Sequence, residues 1–345
     1  MVDDLKQAEA KKRLQDGRRM RKYDSATRAF QVDDGQSDSL GPLAELRGTW
    51  SSPVQGWNLI ALPFKDPSAP FNYRLLMNQY GETLEFSFVD ENIPNRGIDP
   101  GADGITDQLI TGLDYQQVIN QVAAEDSPAS GLLASNEPGK NGIHHEPGLL
   151  LHIMNKTTQD DGENLSVARL ATIPHGDSVL AMGKVTDWYD GPPTIPDLNA
   201  LPVRATQDLN SPYLAPYKHF EDSPFFGTVP PTLPQFPGLF ATNANAILQF
   251  ALGTLNVKRT MAMHFDTKFS TGGIVNIPFI VKEANATEMI ATFWIMELET
   301  PEGAPPEFAM QYSQTVFLDF FPSSDDPTQL IRWPHVSINT MRRMV

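Results

Sequence analysis

Met310-Gln311-Tyr312-Ser313-Gln314-Thr315-Val316-Phe317-Leu318-Asp319-Phe320 is the stretch whose reading decides the fold. Met310, Tyr312, Val316, Leu318 and Phe320 fall on alternate positions, so an extended chain sets them on one face. A helix would scatter the same residues around its axis. The segment therefore reads as a strand with one side turned to a core.

Working outward, the same texture recurs. Residues 56–62 form a strand ended by Pro63, and 73–80 and 83–89 read as two more with Gly81 as the turn between them. Within 107–123 the best strand is Tyr115-Gln116-Gln117-Val118-Ile119. Further strands are expected at 149–154, 166–173, 178–185, 260–269, 273–281, 288–298 and the terminal 331–341. Roughly ten strands with scarcely any helix give an antiparallel sheet that must protect its edges, and closure into an up-and-down barrel does so. The expected fold is all-β: an antiparallel up-and-down β-barrel, with a β-sandwich as the alternative.

Two regions depart from this pattern. Residues 1–39 hold Lys6, Lys11, Lys12, Arg13, Arg18, Arg19, Arg21 and Lys22, and read as a basic helical arm over 4–30 followed by a polar linker. Residues 187–258 are proline-dense, with a short helix expected near 243–252 past Thr242 and Asn243. Their aromatics, among them Tyr213, Tyr217, Phe220 and Phe236, indicate a long insertion that packs on something. The expected organisation is an arm at 1–39 and a single barrel domain at 40–345 that contains the insertion.

Composition narrows the function. The formal net charge of −16 argues against a nucleic-acid binder, since phosphate contacts need a basic face. No cysteine is present, which removes disulfides, thiolate metal sites and covalent c-type haem attachment, and fits a cytoplasmic protein. No run of about 20 apolar residues is available to span a membrane, and no secretory h-region follows the first residues. Neither a phosphate-binding glycine loop, a G-x-S-x-G elbow nor H-E-x-x-H occurs.

Leu43-Ala44-Glu45-Leu46-Arg47-Gly48-Thr49-Trp50 resembles the L-x-x-L-x-G-x-W opening of the nitrobindins, haem-binding barrels of the fatty-acid-binding-protein (calycin) group. Three later segments are similar to that family in the same order. They are His144-His145-Glu146-Pro147-Gly148, read as a turn; Ile173-Pro174-His175-Gly176; and Trp333-Pro334-His335 on the last strand. The chain is longer than such a barrel, and 187–258 has no counterpart in it. The resemblance implies non-covalent haem b, with His335 as the proximal ligand of the haem iron. It also implies peroxidase-like or peroxynitrite isomerase-like chemistry with peroxide, peroxynitrite or NO at an open distal site.

Residue chemistry adds candidates. A neutral imidazole ligates haem iron well, and one such ligand leaves the opposite side open. His175, in its Pro-His-Gly turn, could reach the cavity mouth. His264 is a distal candidate if the polar face of 260–269 points inward. Trp50, Arg169, His144, Met310 and Tyr312 are expected around the cofactor, Arg169 as a partner for a propionate. His144 and His145 are adjacent on extended chain, so at most one looks inward. The alternative function is a non-enzymatic carrier or sensor of a hydrophobic small molecule. A homo-oligomer is left open.

Overall fold

The computed structural model describes residues 40–344, apart from 66, 96–107, 133–141, 154–164 and 270. The expected helical arm lies outside the described residues, as does part of the loop expected over 126–141.

Ten strands close into an antiparallel barrel. They are β1 (Gly48–Pro63), β2 (Tyr73–Asn95), β3 (Gln108–Ser127), β4 (Gly142–Ile153), β5 (Val167–Ile173), β6 (Asp177–Val185), β8 (Val257–Asp266), β10 (Asn285–Leu298), β11 (Phe308–Pro322) and β12 (Leu330–Arg343). Pairing runs around the ring, β12 lying between β11 and β1, and the β6–β8 ladder closes it with Met182 opposite Asp266. Two short strands, β7 (Tyr189–Asp190) and β9 (Gly273–Asn276), pair with β8 and β6 outside the ring.

The alternation of 310–320 is realised as a barrel wall with two cores. Inside, Leu84, Phe86, Leu113, Tyr115, Met263, Phe265, Met310 and Tyr312 pack together, and a 3₁₀ helix, Gly41–Leu46, plugs this core with Leu40, Leu43 and Leu46. Outside, the 187–258 insertion lies on the wall formed by β1, β2, β11 and β12. Its Leu214, Tyr217, Phe220, Phe225 and Leu248 pack on Trp57, Leu59, Leu75, Met77, Val336 and Ile338. Each fully buried side chain of this kind contributes about 1.5–3 kcal/mol relative to exposure. Tyr73 Oη donates to the Tyr213 carbonyl at 2.7 Å, and Val203 forms a β-bridge to Arg332. The insertion is thus an ordered cover.

Four expectations are corrected. Residues 73–80 and 83–89 are one strand, because Gly81 is a site of close approach and not a turn. A Cβ there would stand 2.5 Å from the Pro53 carbonyl oxygen of the irregular β1 segment opposite. The His144–Gly148 segment is extended within β4. Residues 273–281 split into β9 and a helix, Pro278–Glu283, with proline opening the helix where its missing N–H costs nothing. The insertion holds two helices, α1 (Ala215–Asp222) and α2 (Ala246–Leu252), where one was expected.

Candidate functional site

Strand register fixes which side chains enter the barrel. Tyr312 lies opposite Asn339, Gln314 opposite Ser337 and Val316 opposite His335, so His335 shares the inner face of β12 with Ser337, Asn339 and Met341. Val336 and Ile338 point the other way, into the insertion. Asn58, opposite Ser337, is the inward residue of β1 beside His335. Its amide nitrogen stands 2.6 Å from His335 Nε2 and donates to Ser337 Oγ at 3.0 Å. The imidazole is therefore held by one nitrogen, and Nδ1 has no hydrogen-bond partner among the described residues.

Two more histidines lie near enough to act on this one electrostatically. His144 enters from β4, and its ring lies 5.6 Å from that of His175 in the β5–β6 turn. Burial, and then the neighbouring His144 and His175, push His335 down to about 3. Burial, followed by His144, also lowers His175, while Asp177 opposes the shift. His335 is consequently a neutral base throughout the physiological range. Asn78, inward on β2 opposite Asn58, brings a side-chain oxygen with no partner, and Asp177 brings another.

Deeper in the barrel lies a cavity of about 20 Å³, lined by Arg169, Gln117, Gln314, Tyr115, Tyr312 and apolar neighbours. That volume holds about one water molecule. Two carboxylates flank it. Glu146, 1% exposed, accepts from Arg169 Nη2 at 2.7 Å and from Tyr115 Oη, and pairs with His144 Nε2 at 3.2 Å. Burial raises its pKa, but Arg169, then His144 and Tyr115, outweigh that and hold it at about 2. Gly148 makes this arrangement accessible, since a Cβ there would lie 2.4 Å from the Tyr115 ring. Glu82, 3% exposed, meets only neutral donors: Gln117 Nε2 at 2.7 Å, Tyr312 Oη at 2.6 Å and Asn339 Nδ2 at 2.7 Å. Burial raises its pKa, and those hydrogen bonds only partly counter it.

The expected site residues therefore separate. The structure sets His144 and His175 ring to ring, with His335 near enough for both to act on its charge. Arg169 and Tyr312 line the deeper cavity, and Arg169 is committed to Glu146, Tyr115 and Gln314 Oε1, the last at 2.6 Å, so it is not free for a propionate. Trp50 donates to the Leu46 carbonyl at the plugged end, and Met310 packs in that core opposite Met341. His264 lies opposite Thr292 on the face of β8 away from Met263 and Phe265, with Phe269 against its ring. It faces out of the barrel because the apolar residues of β8 take the interior, so it is not brought to His335.

No family model and no curated protein matches the chain. Among solved structures it is similar to the crystal structure of Rv2717c from M. tuberculosis, with 11% sequence identity and a TM-score of 0.38 over 89% of this chain and 98% of that one. Among the described residues no group of three or more histidine, aspartate and glutamate side chains is arranged to hold a metal ion.

Sequence reading missed Asn58, Tyr115, Glu82 and Glu146 as members of the interior. A signal for Glu82 was present. It keeps step with Leu84 and Phe86 at alternate positions of β2, and so shares their inward face.

Proposed function

We propose that the chain binds haem b non-covalently at the histidine end of its barrel, with His335 as the axial ligand. The observation that carries this reading is the inward, neutral imidazole of the last strand, fixed through Nε2 by Asn58. The imidazole is uncharged, but the Asn58 amide N–H donates to Nε2, which puts the ring proton on Nδ1. Ligation through Nδ1 needs the Asn58 amide turned by 180°, so that its Oδ1 accepts from Nε2–H, the oriented form usual for a metal-ligating imidazole. The deeper cavity, at about 20 Å³, has no room for a macrocycle, so the reading assigns haem to the level of His335, His144 and His175. When bound, haem would supply reactivity toward peroxide, peroxynitrite or NO on the face opposite its ligand.

The protein's own part is then specific. Asn58, held in turn by Ser337, orients the His335 ring, and burial keeps the ring uncharged. His175, also held neutral, can accept a proton from a small hydroxylic ligand and return it, and Asp177 beside it favours the charged form. Asn78 offers an unpaired acceptor to a ligand or a water.

Hemin titration followed by absorbance tests the reading. Wild type is expected to give a saturable Soret change that His335→Ala abolishes. Asn58→Leu should weaken binding on the order of 10–100-fold, as loss of a ligand's orienting partner does. His264→Ala should bind as wild type. Hemin binding that ignores His335→Ala would sink the assignment.

A second reading, a carrier of a hydrophobic small molecule, has its own observation. Val275, Ile277, Phe279 and Val281 are 73%, 49%, 67% and 53% exposed, and Ile277 N–H donates to the Gly176 carbonyl beside His175. An apolar rim next to the histidine end suits the entry of an apolar ligand. Saturable binding of a fluorescent fatty acid, with hemin ignored, would favour this reading over the first.

A further inference from the structure

Two carboxylates buried in one barrel differ in the partners they have. Glu146 has a guanidinium and an imidazole. Among the described residues Glu82 has no cation in hydrogen-bond contact: its Oε1 meets the Gln117 amide, and its Oε2 meets the Tyr312 hydroxyl and the Asn339 amide. An isolated ionised carboxylate in an apolar interior is costly and takes up a proton instead.

The hydroxyl geometry continues from there. Tyr312 Oη is 2.8 Å from Tyr80 Oη, and Tyr80 Oη is 3.1 Å from the Ile338 carbonyl. With Glu82 protonated, the chain runs one way: Glu82 O–H to Tyr312, Tyr312 O–H to Tyr80, and Tyr80 O–H to Ile338 O. Each hydroxyl then donates once and the carbonyl is satisfied. With Glu82 ionised the first two bonds reverse, and the Ile338 carbonyl loses the Tyr80 hydroxyl as a donor. Tyr312 and Gln117 also form part of the cavity wall.

We propose that Glu82 and Tyr312 form a proton-donating site on the wall of the inner cavity, with Glu82 as a stored carboxylic acid. The ligand is a hydrogen-bond acceptor the size of one water molecule. In the donating step the Glu82 O–H bond breaks and its proton passes to Tyr312 Oη. The Tyr312 hydroxyl turns from Tyr80 to the cavity and gives its own proton to the acceptor there, which gains one positive charge while Glu82 becomes a carboxylate. The reverse path restores the acid. The groups facing Glu82 are Tyr80 and Tyr312, with His144 near enough to favour the ionised form. The inference stands apart from haem binding, since it involves neither His335 nor Asn58.

Infrared spectroscopy of the full chain without hemin tests it. At pH 7 a carbonyl stretch of a protonated carboxylic acid is expected, lost in Glu82→Gln and kept in Glu146→Gln. In Tyr312→Phe the band should shift, because the acid loses its acceptor. In D₂O the wild-type band should move to the deuterated position while the protein stays folded by circular dichroism. Absence of the band at pH 7, or its survival in Glu82→Gln, overturns the proposal. So does a band that exchanges only on unfolding, a measurement that needs no variant.

Discussion

Burial alone would neutralise both His335 and Glu146, but only His335 becomes neutral. Glu146 has Arg169 at 2.7 Å, and that charge outweighs the desolvation; His335 has an amide and two other histidines, which add to it. The sign of the stability effect follows. His335 binds its proton in the unfolded chain below about pH 6.5 but in the folded chain only near 3. Between those values the unfolded state holds more protons, so stability falls with acidification by about 1.4 kcal/mol per pH unit for this group. His175 contributes in the same direction. Denaturant unfolding of His335→Phe should therefore show a shallower loss of stability than wild type from pH 6.5 to 4.5, and parallel curves would refute that account. At this scale the sequence was partly legible. His335, His144 and His175 could be singled out one by one, whereas their meeting depends on register across β4, the β5–β6 turn and β12. Asn58 carried no mark of its own, being one polar residue between the apolar Trp57 and Leu59.

Elements were legible where the chain alternates and less so where glycine and proline have a second use. Gly81 reads as a turn by composition, yet it lies mid-strand because the Pro53 carbonyl occupies the place of a side chain. Gly81→Ala should cost about 1–3 kcal/mol by overpacking, since the obstructing atom is backbone and cannot rotate away. Chemical denaturation reads this directly, and a variant as stable as wild type would mean that β1 moves freely there. Pro216 and Pro278 each open a helix, since proline in the first turn loses no hydrogen bond; the strand expected over 273–281 therefore stops before Pro278. The inward face of β8 was undecidable from its own residues, because Met263 and His264 are neighbours of opposite parity. The pairing of Met263 with Phe293, itself opposite Tyr312 on the inner face, decides it.

For the whole molecule, barrel closure was legible from strand number and the need to protect edges, while the insertion's seat was not. Its aromatics showed that it covers something, and only the structure places it on the outside of β1, β2, β11 and β12. That cover changes how the molecule should respond to random substitution. On β3 the outward residues Gln116, Val118 and Asn120 are exposed, so alternate positions should tolerate almost any polar replacement. On β1, outward Trp57, Leu59 and Ala61 are as buried as a core, and inward Asn58 holds His335. A saturation library scored for folded, soluble protein should show tolerance with a period of two along β3 and almost none at any position of 57–61. In that part of the wall the barrel has no outside, and the information that a strand usually carries on one face is needed on both.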